Sequence, residues 1–382
     1  AVEYFDKNLP EIKLYKPEAS FTVWLDFHGL GLSREELVRL LVGRGHLALS
    51  EGSTFGNEGS GFMRMNIGVP RAILDEGLEH LAMAVRSLDS GKPSVSASTL
   101  TDIPFVKMNG LGNDFVYVDC IDRPIDNLSD LARRISRRHT GVGSDGIIAI
   151  LPSENADCRM RIFNADGSEA QMCGNGIRCV AKYIYDNKLV GDTHVRIETM
   201  SGIKTVEVHP GLDGLTDTVT VDMGMPQFEP TAIPVAFAGD KMIDAPVAVG
   251  DDTVRVTAVS MGNPHGVVFV DSFDGDIVTT IGPKLEEHEI WPEKANIEFV
   301  RVDDPHNLSM RAWERGAGET MACGTGACAA AAAAVATGRA KWPVTMRLIG
   351  GNLGLDMAAD GHIMMTGPAV TEYSGTYYQS KE

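Results

Sequence analysis

Two stretches of this chain answer each other at a fixed distance, and that duplication constrains the fold more than any other feature of the sequence. GND at 112–114 returns as GNP at 262–264, and CGNG at 173–176 returns as CGTG at 323–326, both 150 residues later. The longer stretch FNADGSEAQMCGNGIRCVA (163–181) aligns without gaps on WERGAGETMACGTGACAAA (313–331). Aromatic falls on aromatic at 163/313, and Glu falls on Glu at 169/319. A repeat of only two units does not stack into a solenoid. It implies two similar lobes related by a pseudo-twofold axis, with a cleft between them.

The patterning around the repeat predicts an α+β fold. Alternating segments bounded by Gly or Pro read as strands: Val195–Thr199, Thr205–His209, Thr218–Asp222, Val254–Ser260, Val267–Asp271, Asn296–Val302 and Ser309–Trp313. Two helices interrupt them. One is Ile177–Lys188, with apolar residues at 177, 180, 181, 184 and 185, and the other is the Ala-rich stretch 327–337. Residues 89–102, which include DSGKPSVSASTLT, have a linker's composition and separate a front segment, 1–88, from the body. In the front segment, strands are expected at Phe21–Phe27 and Phe62–Ile67. Helices are expected from Ser33, with Glu36 completing a capping box, and over Pro70–Ser87 through Ile73, Leu74, Gly77, Leu78 and Leu81. The domain expectation is 1–88, a linker at 89–102, a first lobe at 103–225 and a second at 226–382, whose C-terminal end returns to the first.

Charge and cysteine usage exclude several classes. With 34 basic against 52 acidic residues the net charge is −18, which opposes binding to nucleic-acid phosphates or an anionic membrane. No stretch has the roughly 20 apolar residues of a membrane span, and the start, AVEYFDKNLP, has no basic-then-apolar signal pattern. Its first residue is Ala, which fits either removal of Met or a start inside a larger product. Six cysteines lack the density of a disulfide scaffold and the spacing of a zinc site, so free thiols in a reducing cytoplasm are expected.

The chemistry concentrates at CGxG. A Gly-rich turn opening a helix points backbone N–H groups and the positive end of the helix dipole at whatever lies before it, which is an anion site. A Cys there is expected to ionise more readily for the same reason. Two such turns around one cleft offer two thiols and two helix ends. A carboxylate held by both would place its α-carbon between the sulfurs, so that one removes the α-proton and the other delivers a proton to the opposite face. Cys173 and Cys323 are the candidates; Cys120, Cys158, Cys179 and Cys328 read as core packing. Asn113 and Asn263 occupy the paired GN turns, where turn chemistry alone also suits Asn. His265 follows Asn263–Pro264. Glu314 and Arg315 match Asn164 and Ala165 in the repeat, which places them toward the cleft. There, Arg315 has the fork to hold a second carboxylate.

KMNGLGNDF (107–115), FNADGSEAQMCGNGIRC (163–179), MGNPH (261–265) and WERGAGETMACGTGACAA (313–330) together resemble the diaminopimelate epimerase family over residues 103–382. The resemblance implies two lobes, each a mixed sheet wrapped around a central helix. It implies cofactor-independent interconversion of LL- and meso-diaminopimelate, in lysine and peptidoglycan precursor synthesis, by a homodimer. By the same resemblance Cys173 and Cys323 are the acid/base pair. Gly174, Asn175, Gly324 and Thr325 supply backbone amides to the reacting carboxylate. Asn113, Asn164, Asn263, Asn296, Glu314 and Arg315 contact the remaining polar groups, and His265 assists with Glu314. Gly146 replaces a Gln that several family members carry, so a side-chain contact is absent from that position.

Two other readings of the body are a two-cysteine racemase for proline-like substrates and an amino-acid-binding protein without turnover. The front segment, through FTVWLDFHGLGLS (21–33) and EGSTFGNEGSGFMRMNIGVPRAIL (51–74), resembles the C-terminal part of fold-type-I PLP enzymes of the cystathionine β-lyase/aminotransferase group. In that group the Arg matching Arg64 binds the substrate carboxylate. The lysine-bearing large domain has no counterpart in this sequence, so no PLP activity is expected.

Overall fold

Every element of the first lobe has a counterpart about 150 residues later. The computed structural model describes residues 2–17, 20–45, 47, 49–89 and 100–380. In the first lobe the strands are Leu100–Gly110, Asn113–Asp119, Gly146–Leu151, Cys158–Asn164, Glu169–Ala170, His194–Thr199, Gly202–Pro210 and Thr216–Asp222. They recur as Asp252–Ser260, Pro264–Phe269, Asn296–Asp304, Asn307–Glu314, Gly318–Thr320, Val344–Leu348, Gly351–Met357 and Ile363–Pro368. Helices Leu128–Ile135 and Gly174–Asp186 recur as Ile277–Glu286 and Gly324–Ala336. The pairing senses recur as well. In each lobe the second strand runs parallel to the third, and the fourth parallel to the sixth. The last strands of the two lobes then pair with each other, Thr218 opposite Pro368 and Asp222 opposite Met364.

The central helices explain their own composition. Ala327–Ala334 of the second are buried all round, because strands of its lobe surround it. A helix enclosed on every side has no polar face to keep, and alanine lets the surrounding backbone approach. The first helix is larger in side chain, burying Ile177, Cys179, Val180, Ala181 and Ile184. Each fully buried aliphatic side chain there contributes about 1.5–3 kcal/mol. The outer helices Leu128–Ile135 and Ile277–Glu286 had not been expected. The first is short, though Asn127 caps it and its buried residues 128, 131, 132 and 135 do carry helical spacing; the second contains Gly282 and Pro283, which hide it.

One edge strand breaks the simple order. The second lobe takes Ala245–Val249 from just before its own first strand. In the first lobe, the corresponding place beside Leu100–Gly110 is taken by Val370–Ser380, from the far end of the chain.

By compactness the chain divides into residues 1–104 with 376–382, and residues 105–375. The smaller unit carries a four-stranded antiparallel sheet in the order Lys13–Tyr15, Thr22–Asp26, Phe62–Asn66, Ser50–Glu51. Ser33 and Glu36 form the expected capping box. Helix Arg71–Asp89 turns Leu78, Leu81, Ala82 and Val85 inward; Ile73 is exposed, so it lies off the apolar stripe. Arg64 stacks its guanidinium 4.2 Å from the centre of the Phe55 ring. Most of the linker expected at 89–102 falls at 90–99, outside the described residues. Among the described residues no helix is long and apolar enough to cross a membrane.

Candidate active site

Both CGxG turns stand at the N-terminus of a central helix, with the cysteine as N-cap. Cys173 (φ −143°, ψ 113°) and Cys323 (φ −120°, ψ 110°) are extended, while Gly174 and Gly324 begin the helices. That geometry turns each side chain over a first turn whose N–H groups have no intrahelical partner. At Cys173, sulfur takes the usual place of a capping oxygen: the Gly176 N–H donates to Sγ at 3.3 Å. Cys323 makes no cap bond, and its Sγ lies 3.7 Å from Thr325 Oγ1.

The glycines following the cysteines bring the two turns together. A Cβ on Gly174 would stand 3.2 Å from Met365 Cε, and one on Gly324 3.3 Å from Met365 Sδ. A single buried thioether therefore lies against both helix starts. Both sulfurs line one cavity of about 1020 Å³, and Gly174, Asn175, Gly324, Thr325, Asn113, Asn164, Asn263, Glu314 and Arg315 line it with them.

Asn296 and His265 do not line that cavity. Asn296 is buried, and its Oδ1 accepts the Arg315 backbone N–H at 2.8 Å, so it positions Arg315. His265 is fully buried, with Nδ1 2.7 Å from Glu298 Oε1 and Nε2 3.0 Å from Asn263 Oδ1. Side-chain bonds tie down several of the lining residues. The Cys173 thiol donates to Asn113 Oδ1 at 3.4 Å, and Asn113 Nδ2 donates to Asp145 Oδ2 at 2.8 Å. Asp145 in turn accepts from Arg138 at 2.9 Å. Asn175 Oδ1 accepts from Arg178 at 2.9 Å. Asn164 donates to Ser168 Oγ at 3.0 Å, and Thr320 Oγ1 donates to Glu314 Oε1 at 2.5 Å. Arg315 places Nη1 on the Glu293 carbonyl at 2.8 Å, leaving the other side of its fork for a ligand.

The thiols do not ionise easily, contrary to the expectation drawn from the helix ends. Burial pushes Cys173 up, although the N–H groups of Gly176 and Asn175 and the charge of Arg178 pull the other way. Cys323 is pushed up much further, by burial first and then by the nearby carboxylates Glu314 and Glu298. Desolvation outweighs the helix dipole at both sulfurs.

Sequence reasoning missed Arg138 and Lys204, which add two cations to the cavity wall. No local pattern marks either one. It also missed Glu298, whose signal was present: a charged residue within the apolar strand NIEFV, on the same face as Asn296. At Gly146 the reason for glycine is plain, since a Cβ would stand 2.2 Å from the Phe163 carbonyl oxygen.

Comparison with known proteins follows the same outline. The family model for diaminopimelate epimerase matches residues 105–229 and 257–372. The diaminopimelate epimerase of Moorella thermoacetica is 49% identical over 278 residues, 72% of this chain and 98% of that one. Among solved structures, a hydroxyproline epimerase from Agrobacterium vitis with bound trans-4-hydroxy-L-proline superposes at a TM-score of 0.52. It covers 73% of this chain and 92% of its own at 16% identity, which is a likeness of fold. A PLP-bound putative aminotransferase from Clostridium difficile 630 is 43% identical over only 22% of each chain, with a TM-score of 0.22. That likeness is too short to assign the front unit.

Proposed function

The chain belongs to the diaminopimelate epimerase family, and from that premise we propose that Cys173 and Cys323 are the two acid/base groups with which it interconverts LL- and meso-diaminopimelate. The observation that carries this assignment is the meeting of two cysteine-capped helix starts at Met365, on one cavity. The substrate's α-carboxylate takes the free N–H groups of the two first turns, where the helix dipoles favour negative charge. Its α-ammonium then stands beside the sulfurs. That positive charge favours a thiolate in the complex, where burial alone keeps both thiols protonated.

One sulfur, as thiolate, takes the α-proton. The electron pair left behind spreads into the carboxylate, whose growing charge the same N–H groups stabilise. The opposite thiol delivers its proton to the other face, and the stereocentre inverts. The sulfurs exchange one proton between them, so the step balances without an oxidant or reductant. Arg315 and Lys204 give the cavity wall cations for a second carboxylate.

Incubation with LL-diaminopimelate in D₂O, followed by NMR, tests the reading. The expected result is deuterium at the α-carbon together with the meso isomer. No exchange under reducing conditions would overturn the substrate assignment. The homodimer is part of the same proposal and is checked by light scattering at assay concentration; an active monomer would remove it.

A further inference from the structure

The repeat supplies a controlled comparison, because each residue near one sulfur has a counterpart near the other. A Cβ on Gly176 would stand 2.6 Å from Ile148 Cδ1; a Cβ on Gly326 would stand 2.6 Å from Glu298 Oε1 and 3.1 Å from Cys323 Sγ. Ile148 and Glu298 are therefore the same position in the two lobes, directly against the helix start, and only the second lobe has a charge-bearing group there. The neighbouring positions also differ. Phe115 is answered by His265, Asn164 by Glu314, and Arg178 by Cys328.

Arg178 is fully buried beside Cys173, with its guanidinium spent on the Pro368 and Gly174 carbonyls and Asn175 Oδ1. It has no carboxylate partner among the described residues. Glu298 is fully buried as well; His265 holds its Oε1, while its Oε2 has no hydrogen-bond partner. Cys173 is thus faced by Arg178 and Tyr117 from its own lobe and by Glu314 from the other. Cys323 is faced by Glu298 and Glu314 and, through Glu298, by His265.

We propose that Glu298 is a positioning residue that, together with Glu314, makes the two sulfurs unequal: these carboxylates keep the proton on Cys323, so Cys173 is the sulfur that ionises first in the ligand-free protein. The histidine sets how strong this effect is. Burial raises the Glu298 carboxyl toward its protonated form, and the His265 ring 2.7 Å away draws it back toward the charged one. This inference rests on Cys173 and Cys323 being the reacting pair.

The test needs no substrate. Reduced full-length protein is alkylated with iodoacetamide across a pH series, and the labelling of each cysteine is read by peptide mass spectrometry. The midpoint of each profile reports ionisation, whereas the plateau rate reports access. In the parent protein the Cys173 midpoint should lie below that of Cys323. Glu298→Gln should move the Cys323 midpoint down by about one pH unit or more and leave that of Cys173 in place. Glu298→Ile, which installs the first lobe's residue, should do the same. Cys323 ionising first in the parent overturns the inference without any variant. So does a Cys323 midpoint that neither variant moves. Failure to epimerise diaminopimelate would instead remove the substrate reading and leave the labelling result standing.

Discussion

Raising the pH should destabilise this protein steeply, because its core stores protonated thiols. Cys158, Cys179 and Cys328 are wholly buried, and burial pushes them up to about 12, 11 and 12. In the unfolded chain a thiol titrates near ~8.5. Between those values the unfolded chain has released three protons that the folded chain still holds. Proton release then favours unfolding, so the contribution is whole below ~8.5 and is lost as pH rises. Each thiol loses about 1.4 kcal/mol per pH unit in that window, so the three together remove roughly 4 kcal/mol by about pH 9.5. Set against a typical total of about 5–15 kcal/mol, that is a large fraction. Urea unfolding at pH 7.5 and 9.5, under reductant, measures it. The variants Cys158→Ala and Cys179→Ala, each compared with itself across pH, should each lose the share of one thiol, about 1.4 kcal/mol per pH unit. Equal stability at the two pH values, or alanine variants with the parent's slope, would refute the reasoning. The effect bears on function, since the proposed two-cysteine mechanism needs a thiolate and gains from the same rise in pH. The alkaline limit of activity should therefore coincide with unfolding.

Three further outcomes test the site. Cys173→Ala and Cys323→Ala should each abolish epimerisation while circular dichroism and thermal melting stay close to the parent; near-normal turnover in either would end the two-base mechanism. Gly326→Ala forces a methyl to within 2.6 Å of Glu298 Oε1 and 3.1 Å of Cys323 Sγ, so kcat should fall on the order of tenfold or more, measured beside an intact far-UV spectrum. Met365→Ala removes the thioether against both helix starts and should cost about 2–5 kcal/mol in chemical denaturation, with a rise in KM as the two turns lose their spacing.

The repeat made the lobes legible in the sequence because its offset is nearly constant through turn, helix and strand. Cys173, Cys323 and the paired asparagines followed from it. What stayed hidden was contact between lobes and through the core. Met365 lies in a strand with no motif, and its importance appears only when Gly174 and Gly324 are seen against it. Arg138 reaches Asp145 from the far side of a turn. The ionisation of the thiols was misjudged for a related reason. A CGxG motif announces a helix dipole, but it does not announce how completely the surrounding strands exclude water.

That misjudgement points to how a symmetric scaffold acquires a directed chemistry. An N-cap is ordinarily a Ser, Thr, Asp or Asn, whose oxygen satisfies the first turn and stabilises the helix by about 1 kcal/mol. Both central helices forgo that oxygen. Cys173 retains a sulfur cap at 3.3 Å and Cys323 retains none, so the second helix start keeps its N–H groups free of a side-chain cap. Duplication alone would give two equivalent sulfurs, each equally ready to hold or release a proton. The differences at 148/298, 164/314 and 178/328 place carboxylates around Cys323 and a buried cation beside Cys173. In the proposed mechanism, backbone symmetry thus sets the geometry of attack from two faces, and a few side chains that break the symmetry decide which sulfur begins with the proton.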